Sequence, residues 1–211
     1  MPTRLLLEHA NTRELLPRYL AAAYPLTSTM IPLMECALER ALASAPDDPV
    51  SAGLVEYLER HIPEETHSEE PGGAAREDLR ALGIDADALL AQRPSAKMAA
   101  LIGSQYFWIL HYHPVAILGF LELEAYHPQA ETVERLIEKT GYPREGFRQL
   151  VLHAKLDAVH GRDLHRVLDS LPLERWHQQL IEVSAIQSIC YLIDAMLDVI
   201  QDGAHIPSSR S

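Results

Sequence analysis

The chain reads as an all-α, single-domain helical bundle of about seven helices. Three observations predict this. Apolar residues recur at helical spacing along nearly the whole chain, with no convincing run of strand-like alternation. Breaks fall at turn residues spaced as short inter-helix loops. With 211 residues, 47% of them hydrophobic, the chain has the size and apolar content for one sizeable core.

Arg13 to Tyr24 is the first helix by spacing, and Thr27 to Ala43 follows with Pro32 near its start. Pro46, Asp47 and Asp48 make a turn. Val50 to about Glu69 is a third helix, interrupted by Pro71-Gly72-Gly73; Ala74 to Leu82 ends at Gly83. Asp85 to Ala91 is a short helical turn, and Ser95 is an N-cap candidate for a long central segment, Ala96 to Ala125. His113-Pro114 must kink or break that segment. Gln129 to Thr140 closes at Gly141. Arg144 to Leu171 stops at Pro172, and Glu174 to Gln201 is the last helix. The whole chain is one domain, with a frayed tail from about residue 203.

The net charge of −12 argues against nucleic acid and anionic membranes as partners. No stretch approaches 18 consecutive apolar residues, so no membrane span is expected. Met1 to Leu7 lacks the apolar core of a signal peptide, and Cys36 and Cys190 suit unpaired thiols in a reducing cytoplasm. The stripe Ile186, Ile189, Leu192, Ile193, Met196, Leu197, Ile200 either closes the bundle or pairs two copies in a homodimer.

The residues with the most chemistry are His153, Asp157 and His160. At about 100° per residue, positions i, i+4 and i+7 fall within roughly 60° on one helix face. Imidazole with carboxylate suits a first-row transition metal. The competing reading is a solvated polar face, since Lys155, Arg162, Asp163, His165 and Arg166 share the helix. Glu64 and His67 form a Glu-x-x-His pair, with His61 one turn earlier. Glu122 and Glu124 sit in an apolar run where a buried carboxylate needs a partner. Glu35 lies between apolar neighbours on an early helix and is otherwise an ordinary solvated residue. His111, His113, His127, His165 and His177 read as surface or satisfied core residues, and Tyr106, Trp108 and Tyr112 as packing residues.

Four segments together resemble the haem-oxygenase-like diiron oxidases and oxygenases. They are Pro32 to Ala37; His61 to His67, followed by Asp78 to Gly83; His113 to Phe120, running to Glu124 and Pro128; and His153 to His160, followed by Leu168 to Leu173. The resemblance implies a haem-oxygenase-like bundle holding two iron ions, with manganese as the alternative metal. The ligands it implies are Glu35, Glu64, His67, Glu124, His153, Asp157 and His160, with Glu65 the alternative to Glu64 and Glu122 to Glu124. The implied partners are O₂ and a small molecule, and the implied reactions are N-oxygenation, oxidative decarboxylation or C–C cleavage. A metal-independent, thiaminase-like hydrolase of the same fold is the alternative, carried by Glu35, the third-helix carboxylates and a tyrosine. A non-enzymatic helical binding domain is the other.

Overall fold

The computed structural model describes residues 2–66, 73–123 and 128–202, with residues 66, 74, 155–160 and 202 as backbone only. Among the described residues there are ten α-helices rather than about seven. They are α1 (Pro2–Glu8), α2 (Thr12–Ser44), α3 (Pro49–Thr66), α4 (Gly73–Ala81), α5 (Ala86–Leu90), α6 (Ala96–His111), α7 (Ala116–Leu121), α8 (Ala130–Thr140), α9 (Arg148–Ser170) and α10 (Arg175–Asp202). A 3₁₀ turn, Arg144–Phe147, leads into α9.

Several boundaries follow from local chemistry. Asp48 caps α3 through the Val50 and Ser51 amides, and Pro49 takes the first helical position, where a missing N–H costs nothing. Ser95 accepts from the Met98 amide and starts α6. Gly83 and Gly141 turn the chain at positive φ after α4 and α8. His113-Pro114 does separate α6 from α7.

Two differences from the sequence reading stand out. Helix α1 goes unpredicted because its helical run is only seven residues. The two predicted helices between Arg13 and Ala43 are one 33-residue helix, α2, with Pro17, Pro25 and Pro32 inside it. The Thr27, Ser28 and Thr29 hydroxyls donate back to carbonyls of the preceding turn, giving the backbone around Pro25 alternative donors. Packing of α2 on α3, α6 and α10 then outweighs the proline penalty.

The centre of the bundle is α7. All six of its residues are buried, and it packs on α10, α6, α9 and α2. Gly119 permits the tightest approach: a Cβ there would collide with the Ile181 carbonyl and stand 2.8 Å from the Ala185 nitrogen. A buried polar group ties α6 to α10. Gln105 donates to Ser188 at 2.9 Å, and Ser184 lies 2.8 Å from both the Gln105 side-chain oxygen and the Ala116 carbonyl.

Gly119→Ala should destabilise the fold by ~1–3 kcal/mol through overpacking. Chemical denaturation reads this as a lowered midpoint; an unchanged midpoint would contradict the close α7–α10 approach.

Candidate metal centre

Helix α9 is continuous from Arg148 to Ser170, so positions 153, 157 and 160 form one stripe along it. That stripe continues at Leu164, which is 2% exposed. His153 is half-buried. His153 and Leu164, the members of that line whose side chains are described, lie on the sheltered side of α9.

Two contacts set what faces it. The C-terminal end of α9 is fixed by Leu171, whose side chain occupies the space a Cβ would need at Gly53, near the start of α3. Its N-terminal end is fixed by Asp78 of α4, which accepts from the Gln149 amide at 3.0 Å. Arg148 and Glu77 add an ion pair at 2.9 Å there. Helix α9 packs against α3, with Leu171 at its C-terminal end beside Gly53 near the start of α3. At 1.5 Å rise per residue, positions 61–65 lie roughly 12–18 Å along α3 from Gly53, and positions 157–160 roughly 16–21 Å back from Leu171. An antiparallel run of the two helices would set the two groups at one level.

On α3, His61 is 3% exposed and stacks on Tyr57 at 5.0 Å between ring centroids. Its Nδ1 lies 3.6 Å from Glu64 and its Nε2 4.0 Å from Glu65. The Glu64 side chain is 50% exposed and that of Glu65 only 13%. Glu65 is thus the inward carboxylate of the pair, and Glu64 the outward one. His67 and Glu124 lie outside the described residues, and Asp157 and His160 are described as backbone only. Glu122 is half-buried and meets His165 of α9 at 3.4 Å. Glu35 is exposed and acts on Tyr106 of α6. There burial first, then the Cys36 and Glu35 charges, push the Tyr106 phenol above its ordinary value.

A second polar cluster lies at the N-termini of three helices. Asp48, His113 and His177 bring potential ligand atoms within 4.8 Å of one another. The hydrogen bonds assign it a structural role. His113 Nδ1 accepts from the Val115 amide, at the start of α7, at 3.1 Å. His177 Nδ1 accepts from the Glu174 amide, at the start of α10, at 3.1 Å. A neutral ring accepting at Nδ1 carries its hydrogen on Nε2. The His113 Nε2–H accordingly donates to Asp48 at 2.9 Å and offers no lone pair to a metal. Ser51 approaches the same nitrogen at 3.4 Å, so this is no acyl-transfer triad, which needs its serine and acid on opposite nitrogens. Burial alone would raise the Asp48 carboxyl. Hydrogen bonds from Ser51, His113 and the Val50 and Ser51 amides outweigh it and hold it at about 2. Burial first, then the His113 charge, keeps His177 below its ordinary value.

The fold and donor groups now stand beside known proteins. The sequence model of the iron-containing redox enzyme family matches residues 54–189, more than half of the chain. The chain belongs to the iron-containing redox enzyme family. That family match spans α3 to most of α10 and includes both sides of the α3–α9 interface. Among solved structures, a domain of unknown function with a haem-oxygenase-like fold from Shewanella denitrificans superposes with a TM-score of 0.79 at 17% identity, covering 100% of this chain and 88% of that one. A TenA homolog from Pseudomonas syringae pv. tomato gives 0.69 at 14% identity over 95% and 88%. A CADD-like protein of unknown function from Nostoc punctiforme gives 0.67 at 14% over 99% and 88%. These identities establish a haem-oxygenase-like fold. No curated protein matches the chain.

Sequence reading missed the capping roles of Asp48, Asp78 and His177. Asp48-Pro49, an N-cap residue before a helix-starting proline, was the readable signal. His177 sits three residues after Glu174, the spacing at which a side chain reaches back to the cap amide.

Two predictions follow from these caps. Asp78→Ala should cost about 0.5–2 kcal/mol in denaturation experiments, as loss of a helix cap does; no loss would deny that Asp78 anchors α9. Acidification should destabilise the protein in two steps. The depressed His177 contributes stability above the ordinary imidazole range that is lost as pH falls through it. The depressed Asp48 contributes stability that is lost as pH falls from the unfolded carboxylate range towards about 2. His177→Gln keeps an acceptor for the Glu174 amide and should flatten the first step in Tm against pH. An unchanged slope would contradict the assignment.

Proposed function

We propose that the chain is a nonhaem diiron oxidase or oxygenase acting on a small molecule. The observation that carries this reading is the packing of α9 on α3, with buried His61 and sheltered Glu65 on one helix and His153 on the other. An antiparallel run would bring the level of His61 and Glu65 to that of positions 157–160, in a chain of the iron-containing redox enzyme family. The donor chemistry fits: buried imidazole beside carboxylate on one helix, and His153, Asp157 and His160 on the other, suit iron or manganese. Bound iron would supply the electrons and open coordination positions that O₂ activation requires.

The residues themselves do three things. His153, Asp157 and His160 hold one side of the site, fixed by the anchored ends of α9. Glu65, with His61 beside it, holds the other; Glu64 is the weaker candidate because it faces solvent. His67, Glu124 and Glu35 remain ligand candidates from the family resemblance. Ile117, Phe120 and Leu121, all buried on α7, provide an apolar wall that excludes water and accommodates an uncharged part of a substrate.

One observation favours a metal-independent, thiaminase-like hydrolase as a second reading: the Glu35 charge, with Cys36 beside it, reaches the Tyr106 phenol. There Glu35 and Tyr106 would do acid–base work.

Anaerobic loading with ferrous iron separates the two. The diiron reading predicts about two irons per chain and an absorbance transient on adding O₂. Asp157→Ala should lose at least one iron, and Glu65→Gln should lower uptake more than Glu64→Gln. Absence of iron uptake at any pH where imidazole is neutral would sink this reading. Activity lost in Tyr106→Phe with no metal requirement would favour the other.

A further inference from the structure

A cavity of about 580 Å³ opens between α2, α5, the loop leading into α6, and α10. None of its described walls comes from α3 or α9. Helix α2 gives it Arg18, Ala21, Ala22 and Pro25, positions i, i+3, i+4 and i+7 of one face. Helix α10 gives Ala195, Asp198 and Val199 at i, i+3 and i+4, and α5 adds Leu89 and Leu90. The apolar members of this set are all buried or half-buried. The mouth is cationic. Arg18 and Arg93 both line it and both are exposed. Neither forms an ion pair or a side-chain hydrogen bond among the described residues. The one acid in the lining, Asp198, is already held by Lys97 at 2.7 Å. Two guanidinium groups therefore stand at one cavity without a carboxylate, in a chain of 30 acidic and 18 basic residues.

We infer that this cavity binds a small molecule with an oxyanion head, carboxylate or phosphate, on an apolar body. The size fits, since ligand pockets run roughly 300–1,000 Å³ and are mostly apolar, with a few polar groups that orient the ligand. A guanidinium matches either oxyanion with paired N–H donors. Two like charges at one mouth repel, and an anion between them replaces that repulsion with attraction. The interior then takes the ligand's body out of water, which contributes ~25 cal/mol per Å² of apolar surface. A free inorganic anion would engage the mouth and leave the interior unfilled. An uncharged ligand would leave both guanidinium groups uncompensated. The net charge of −12 disfavours an anionic membrane as the source of the head group. The site is independent of the iron chemistry at α3 and α9.

Isothermal titration calorimetry of the full chain with decanoate and with decyl phosphate tests it, with decanol as the uncharged control. At least one of the two anions should bind saturably, and the tighter of them names the head group. Decanol should bind about tenfold more weakly, the contribution of one charge-assisted hydrogen bond. Arg18→Gln and Arg93→Gln should each weaken anion binding by about tenfold for the same reason, with an unchanged thermal unfolding transition. Ala22→Leu fills the cavity while keeping both guanidinium groups, and should weaken binding as much. Arg4→Gln, at an exposed position on α1, should bind as the wild type does. No saturable binding of either anion, equal affinity for decanol, or unchanged affinity in both arginine variants would overturn the inference. So would unchanged affinity in Ala22→Leu, equal loss in Arg4→Gln, or inorganic phosphate binding as tightly as decyl phosphate.

Discussion

The structure depends on the anchoring of helix α9 at both ends. A stripe of imidazole and carboxylate on the core side of a helix is expensive unless its partners are held opposite it. Leu171 seated on Gly53 fixes one end, and the Asp78 carboxylate on the Gln149 amide fixes the other. Between these points the regular rise of α9 along α3 sets the alignment. On the proposed reading, that alignment is what would set positions 157–160 opposite His61 and Glu65. Gly146 belongs to the same arrangement: it lets the turn before α9 pass against Leu82 and the Asp78 carbonyl.

Polar residues elsewhere in the bundle serve the same end, holding backbones rather than doing chemistry. Asp48, His113 and His177 cap α3, α7 and α10 at one junction. That junction and the Gln105–Ser184–Ser188 group hold α7 between α6 and α10. Gly119 sets how close it lies to α10. The apolar helix α7 thus becomes a rigid wall beside α9, which is what a site that must exclude water requires. The two histidine groupings are distinguished by where their nitrogens point. Backbone amides claim Nδ1 of His113 and His177 and leave hydrogens on Nε2. His61 instead sits within 4.0 Å of two carboxylates.

Much of this was legible in the sequence. The all-α class, the stop signals at Gly83 and Gly141, the Ser95 cap and the break at His113-Pro114 all rest on local chemistry, and local chemistry is what a sequence displays. The long helix α2 was not legible, because proline propensity argued for a break at Pro25 and packing on three neighbours overrode it. The stripe at 153, 157 and 160 was readable as a stripe; which way a stripe faces depends on how its helix is rolled in the bundle, and no local pattern states that. Glu64 against Glu65 stayed open for the same reason. Adjacent helical positions differ by about 100°, and which one points inward depends on how α3 is rolled in the bundle. The caps by Asp78 and His113 join residues 71 and 2 positions apart, and the first of these has no local signal at all.

The most direct test of the α3–α9 site is the anomalous scattering of crystals loaded with ferrous iron, measured across the iron absorption edge. This account predicts iron density between α9 at positions 153–160 and α3 at positions 61–65. Iron at Asp48, His113 and His177 instead, or no iron density anywhere in the bundle, would contradict it.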